Sequence, residues 1–443
     1  MLPDAFLSRM QSLLGQEYDA FLASYDRPLQ RGLRLGPKAD GQMRSLPFGL
    51  TPVPWAEGGY AYDPAARPGK HPYHEAGLYY LQEPSAMAPA AILGPQPGER
   101  VLDLCAAPGG KSTQIATALR GRGLLVANEI HPKRAKILAR NIERMGISNA
   151  LVLNMHPRDL ESRFAGFFDR IMVDAPCSGE GMFRKEEAAV TDWSRETVEM
   201  CAARQREILR SAAGMLRPGG YLCYSTCTFA PEEDEGVMAW FLREFPAFSP
   251  VEVSAPWFSP GRPDWAEPED PRIARGFRLW PHKLGGEGHF VMLLQKAGAA
   301  AAAGMDGPVG IPMPPELQAF LREMEITLPE GTLISFGPSL YLLPPDCPEL
   351  RGLKVLRPGL ELGVLKKGRF EPAHALALWL RSCGRTADFP ADSGEILSYL
   401  HGNVIPGDAA GWTLITVDGL SLGWAKGSGG QLKNHFPKGL RWV

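Results

Sequence analysis

Residues 97–121 read PGERVLDLCAAPGGKSTQIATALRG. A turn leads into the short apolar run VLDLC, a Gly pair follows, and a helical pattern then runs to Gly121. A strand passing straight into a helix through such a turn predicts the first unit of an alternating strand–helix domain. The continuation agrees. GLLVANE reads as a second strand, Pro132 opens a helix to about Met145, ALVLN is a third strand and FDRIMVDAP a fourth. A helix at about 197–216 leads to the strand GGYLCYST, Pro231 is read as opening a helix to about Phe245, and GHFVMLLQK near 288–296 reads as a late strand. Helices between successive strands imply a parallel sheet covered on both faces, an α/β fold with a Rossmann-like core.

Around this core, 443 residues leave room for two or three domains. Residues 1–75 open with an amphipathic helix, MLPDAFLSRMQSLLGQEYDAFLASY, and continue as a Pro- and Gly-rich stretch with short strands, a small α+β domain. The core is read over 76–297. AGAAAAAGMDGPVGIPMPP lacks periodicity, so 298–315 is read as a linker, and 316–443 as a mixed region with little long helix. The opening helix lacks the basic-then-apolar order of a signal peptide, and no apolar run approaches the roughly 20 residues of a membrane span. A cytoplasmic protein without a membrane partner is expected. Seven cysteines without a C-x-x-C pair argue against a zinc ribbon or a disulfide framework, so no metal is expected. The net charge of −2 means that any nucleic-acid surface must come from local patches. Nothing demands more than a monomer.

The turn Cys105-Ala106-Ala107-Pro108-Gly109-Gly110-Lys111 lets the backbone approach a ligand closely, and the following helix start offers free N–H groups. Glu129 ends the second strand about twenty residues further on, where a carboxylate can hold a ribose diol. Asp174 ends the fourth. Ligands of open parallel sheets bind beyond the carboxyl ends of the strands, so these residues are expected in one crevice. A P-loop would need a Gly where Cys105 stands, and a dinucleotide fingerprint is also absent. S-adenosylmethionine, a cation with a ribose and no phosphate, suits a turn flanked by carboxylates.

Two cysteines sit just past strands of the same sheet, Cys177 in DAPCSGEGMFRK and Cys227 in YSTCTF. An isolated cysteine is most often a small buried hydrophobe, the reading kept for Cys105, Cys201, Cys223, Cys347 and Cys383. Cys177 and Cys227 differ because both fall on the ligand-binding edge. A thiolate there can activate a pyrimidine. Carbon 5 of cytosine is too weak a nucleophile to take a methyl group directly, but thiolate addition at carbon 6 makes carbon 5 an enamine carbon. Such a thiol needs surroundings that favour its anion.

CAAPGGK, DAPCSGEG and STCTF together resemble the NOL1/NOP2/Sun family of RNA cytosine-5 methyltransferases. AGLYYLQEPSAM (76–87) and RLWPHKLGGEGHF (278–290) resemble in particular its bacterial RsmF-type branch acting on small-subunit (16S) ribosomal RNA. The C-terminal GLELGVLKKGRFEPAHALAL and GWAKGSGGQLKNHFPKGLR are similar to that branch's PUA-like RNA-binding region. The resemblance implies S-adenosylmethionine as cofactor and the small ribosomal subunit as partner. It implies Cys227 as the nucleophile, Cys177 as the thiol that helps release the product, Asp174 as the contact to the cytosine edge and Lys111 as its companion. Pro108, Gly109, Gly110, Glu129 and Arg134 fall at cofactor positions. Where the family has an acid contacting adenine, this chain reads NMHPRD, with His156 at the matching position and Asp159 three residues on. RNA contacts are expected from Arg31, Arg34 and Lys38, from 351–369, and from the basic and aromatic residues of 421–443.

Overall fold

The structure, a computed structural model, describes residues 2–39, 46–299 and 306–443. Five parallel strands form its centre, in the spatial order Ala150–Leu153, Leu124–Asn128, Arg100–Asp103, Phe168–Asp174 and Leu216–Thr226. His289–Lys296 adds antiparallel to the last of these, and Phe277–Leu279 lies outward of it. The strand order reverses between Arg100–Asp103 and Phe168–Asp174, which opens a crevice beyond their carboxyl ends.

Alternate side chains of each strand serve the two faces. Leu102, Leu124, Val126, Leu151, Ile171, Val173 and Leu222 meet the helices Arg195–Met215 and Glu235–Glu244 on one side. Val101, Leu125, Ala127, Val152, Met172 and Cys223 meet Pro84–Leu93, Gly110–Leu119 and Pro132–Arg144 on the other. Burial on both faces is why these strands read as unbroken apolar runs. Each buried Leu, Ile or Val contributes about 1.5–3 kcal/mol of transfer free energy.

The expected helix from Pro231 begins instead at Glu235, because Pro231–Asp234 forms a turn that buries Glu233 and Asp234 and leaves Glu232 exposed. The expected domain boundary at 75 also shifts. Tyr79–Leu81 pairs with Gly32–Leu35 and closes the N-terminal four-stranded sheet, which puts the division after it. The N-terminal helices Asp4–Leu14 and Tyr18–Ala23 lie on the core. Phe6, Met10 and Phe21 pack with Phe183, Trp193, Phe229 and Trp280.

Of the stretch expected as a linker, 300–305 lies outside the described residues. The Ile311 amide donates to Leu333 and the Glu349 amide to Asp306, so 306–314 is tied to the C-terminal region. That region holds a four-stranded sheet spanning Thr332–Pro372 and a five-stranded sheet spanning Thr386–Asn434. It is not detached from the core. Val355–Pro358 pairs antiparallel with Ala150–Leu153 and caps the open edge of the central sheet, where Arg357 bonds Glu143 at 3.0 Å. An edge strand needs such cover.

Candidate active site

The crevice holds a cavity of about 730 Å³. Its lining brings together Cys105, Ala107, Glu129, Arg134, Asp174, Cys177 and Cys227, residues that four different strand exits contribute. Ala106, Pro108, Gly109, Gly110 and Lys111 form the turn beside it and, among the described residues, are not part of the lining.

The turn is built for close approach. Gly109 has φ +116°, a conformation L side chains avoid, and a Cβ there would press to 3.2 Å of Leu138 Cδ1. Neighbouring groups fix its backbone: the Ala106 amide donates to Asn128 O, Asn141 Nδ2 to Pro108 O and Arg134 Nη2 to Ala107 O, the last at 2.8 Å. Glu129 is buried. Its Oε1 accepts from the His131 amide at 2.8 Å, and Oε2 stands 3.5 Å from Arg134 Nη1. Asp103, at the end of the first strand, accepts from Ser112 Oγ with one oxygen while Oδ1 has no partner. Burial pushes its carboxyl up to about 7. Glu129, a buried carboxylate on the cavity wall beside the backbone of Cys105 and Ala107, suits a cationic ligand that carries a ribose.

At the position expected to face adenine, His156 lines the cavity and caps the short helix Pro157–Glu161, its Nδ1 accepting from the Arg158 amide at 3.3 Å. Asp159 lies on that helix outside the lining.

Lys111 Nζ donates to Asp174 Oδ2 at 2.8 Å, and Ser225 Oγ to Oδ1 at 2.7 Å. Burial works against the Asp174 anion, but the Lys111 ammonium and these hydrogen bonds outweigh it and hold the carboxyl below its ordinary range. Asp174 therefore keeps its charge near neutral pH. Lys111 likewise stays above its ordinary value, since Asp174 offsets the cost of burial. His289, whose Nδ1 lies 2.9 Å from Ser85 Oγ, is pushed down to about 3 by burial and by Lys111, and is neutral there.

The two thiols meet. Cys177 Sγ and Cys227 Sγ are 3.4 Å apart. The hydrogen bond with Cys227, together with burial, pushes the Cys177 thiol well up, so Cys177 keeps its proton. Cys105 is also pushed up, by burial. Cys201, Cys223 and Cys347 are buried, and Cys383 is half-buried.

The RNA-facing expectations fare unevenly. Arg34 is 1 % exposed and donates to Gln82, Thr113, Thr117 and the Leu35 carbonyl. Lys38 is buried against Ala76 O and Ser421. Trp424 and Phe436 belong to the C-terminal cores, and Arg357 is committed to Glu143. Arg31, Lys354, Lys367, Lys426, Lys433 and Lys438 are exposed. The sequence reading missed Glu233, a buried acid that bonds the Cys177 loop. The acid run PEEDE after TCTFA was its only signal, and such a run ordinarily reads as a solvated face.

The profile described as 16S rRNA methyltransferase RsmB/F matches residues 90–295, and that of the N-terminal domain of 16S rRNA methyltransferase RsmF matches 2–84. The first C-terminal domain of RsmF matches 319–380 and the RsmF PUA domain 386–442, dividing the C-terminal region in two. The chain is 34% identical to the ribosomal RNA small subunit methyltransferase F of Klebsiella pneumoniae, covering 99% of this chain and 96% of that one. It is 32% identical to the protein of the same name from Aeromonas hydrophila, covering 99% and 97%. Among solved structures, a methyltransferase homologue from Pyrococcus horikoshii superposes with a TM-score of 0.59 at 28% identity, over 66% of this chain and 95% of that one. NSun6 from the same organism, solved with SFG, gives 0.55 at 21% and shares the fold. No helix among the described residues is long and apolar enough to cross a membrane. The chain belongs to the RsmF family of S-adenosylmethionine-dependent 16S rRNA methyltransferases.

Proposed function

We propose that this protein is a cytoplasmic, monomeric enzyme that methylates carbon 5 of a cytosine in small-subunit ribosomal RNA, with Cys227 as the nucleophile. The observation that carries the reading is the pair of thiols 3.4 Å apart, lining one cavity with Asp174 and Glu129. Glu129 and the turn from Cys105 to Gly110 hold S-adenosylmethionine, with Arg134 bracing both. When bound, the cofactor supplies the electrophilic methyl group.

The protein's own residues do the rest. Asp174, kept ionised by Lys111, accepts from the exocyclic amine of cytosine with its spare lone pairs and fixes the ring edge-on. The Cys227 thiolate adds at carbon 6, and carbon 5, now an enamine carbon, takes the methyl group. Formation of the thioether removes the Cys227 hydrogen bond and charge that held Cys177 protonated. Cys177 then loses its proton to solvent and can take the carbon 5 proton. The carbon 5–carbon 6 double bond re-forms and Cys227 leaves as the thiolate. A base within structured RNA must be splayed out to reach this crevice, and the exposed Arg and Lys residues of the C-terminal domains grip the backbone.

The test is transfer of labelled methyl groups to purified small subunits, naked ribosomal RNA and tRNA, followed by nucleoside analysis. 5-Methylcytidine in ribosomal RNA is expected. Label in tRNA alone would overturn the ribosomal assignment, and label in no RNA would overturn the enzyme.

A further inference from the structure

One buried carboxylate joins the two cysteine loops. Glu233 is fully buried and accepts from the Ser178 amide at 3.0 Å, from Ser178 Oγ, and from Gln205 Nε2 at 2.8 Å. Ser178 follows Cys177 directly. Its hydroxyl also lies 2.9 Å from Thr228 Oγ1, and Thr228 follows Cys227 directly. Gln205 reaches on to Pro176 O at 3.1 Å, so the segment is held on both sides of Cys177. A second strut runs alongside, the Gly181 amide donating to Cys227 O at 2.9 Å.

We propose that Glu233 is a positioning residue for both thiols: its carboxylate yokes the two loops through Ser178 and Thr228, and its negative charge keeps the proton on Cys177. The inference rests on the function proposed above. A hydrogen-bond chain one residue past each cysteine fixes both backbones, which is what a 3.4 Å approach of two thiols on separate strands requires. The charge is asymmetric in effect because the amide and hydroxyl it binds belong to the residue next to Cys177. Glu233 disfavours the anion at Cys177 by direct repulsion, adding to the effect of Cys227 and of burial. The ionisable groups around Glu233 are Glu180 in the Glu180–Met182 turn, Asp234 beside it, Cys201 on the helix Arg195–Met215, Cys177, and Tyr224 on the strand Leu216–Thr226. Tyr224 donates to the Glu233 carbonyl at 2.7 Å. Burial pushes the Glu233 carboxyl up to about 7. Its charge is therefore present above neutral pH and lost below it.

The experiment is competitive alkylation with iodoacetamide, read by mass spectrometry of the Cys177 and Cys227 peptides between about pH 6 and 9, the range that spans the Glu233 titration. In the wild-type protein the ratio of Cys227 to Cys177 modification is expected to rise by about tenfold across neutral pH, the scale of a one-unit difference in thiol acidity. In Glu233→Gln, which keeps the shape and removes the charge, the ratio should stay low and flat. A ratio independent of pH in the wild type overturns the proposal, and needs no variant to fold. So does a folded Glu233→Gln protein with the wild-type profile. Failure of the underlying function would show separately, as absence of methyl transfer by a wild-type protein whose ratio still rises.

Discussion

Cys177 and Cys227 leave neighbouring parallel strands on the same edge of one sheet, yet their settings differ. Cys227 comes one residue after its strand ends at Thr226, with little slack in the chain. Cys177 comes three residues past Asp174, on a loop that Gln205, Ser178 and Glu233 must hold in place. The first is aimed chiefly by the sheet, with Thr228 tied to Ser178 just beyond it; the second is aimed by side chains. Cys177 is also the thiol pushed up by its partner and by burial. On the proposed function, adjacent strand exits give a nucleophile held by regular structure and a proton carrier held by a network that can be tuned. The two duties proposed for them differ in the proton each must carry, and the burial and hydrogen bond that keep the proton on Cys177 supply one side of that difference.

The largest expected effect separates the two exits. Cys227→Ala should lower methyl transfer on the order of 10³-fold or more, as loss of a nucleophile does, while S-adenosylmethionine binding measured by calorimetry is unchanged. Near-normal turnover would move the nucleophile elsewhere. Next, Lys111→Met tests the charge that Asp174 and Cys227 share as a neighbour. Without the ammonium, burial dominates at Asp174 and its carboxyl rises. Since the ionised form is the one required, activity is lost from the acid side. The acidic limb of the kcat/KM profile should move up by about one to three pH units. An unmoved limb would remove Asp174 from the pH dependence. The smallest effect falls on both exits together. Phe6, buried against Phe183 and Trp193, lets the N-terminal helix brace the loops past each strand. Phe6→Ala should destabilise the protein by about 3–5 kcal/mol in denaturant titrations and raise alkylation of Cys177 and Cys227 alike. A rise confined to one would show that the brace serves that loop alone.

The crevice was legible because its residues lie where the chain leaves regular structure. AAPGGK, DAPC and TCTF each come directly after an apolar strand, and strand exits of a parallel sheet converge. What could not be read depends on partners far along the chain. Glu233, Asp234 and Glu235 look like a solvated acidic run, but Ser178 and Arg278 draw them inside from 55 and 43 residues away. Arg34 and Lys38 look like RNA contacts until a carbonyl, hydroxyls and a side-chain amide of distant segments accept their hydrogen bonds. Trp424 reads as part of a basic patch, yet its indole donates to Ala373 O inside a core. Val355–Pro358 carries no mark that it pairs with Ala150–Leu153, about two hundred residues earlier, to complete the central sheet. Charge and aromatic content locate a patch; only tertiary pairing says whether it faces solvent.

The most direct test is a denaturing gel of Cys177→Ala incubated with S-adenosylmethionine and labelled ribosomal RNA, beside the Cys177→Ala, Cys227→Ala double variant. The division of labour between the thiols predicts a stable protein–RNA adduct in the single variant and none in the double. An adduct that survives in the double variant, or normal release from the single one, would contradict it.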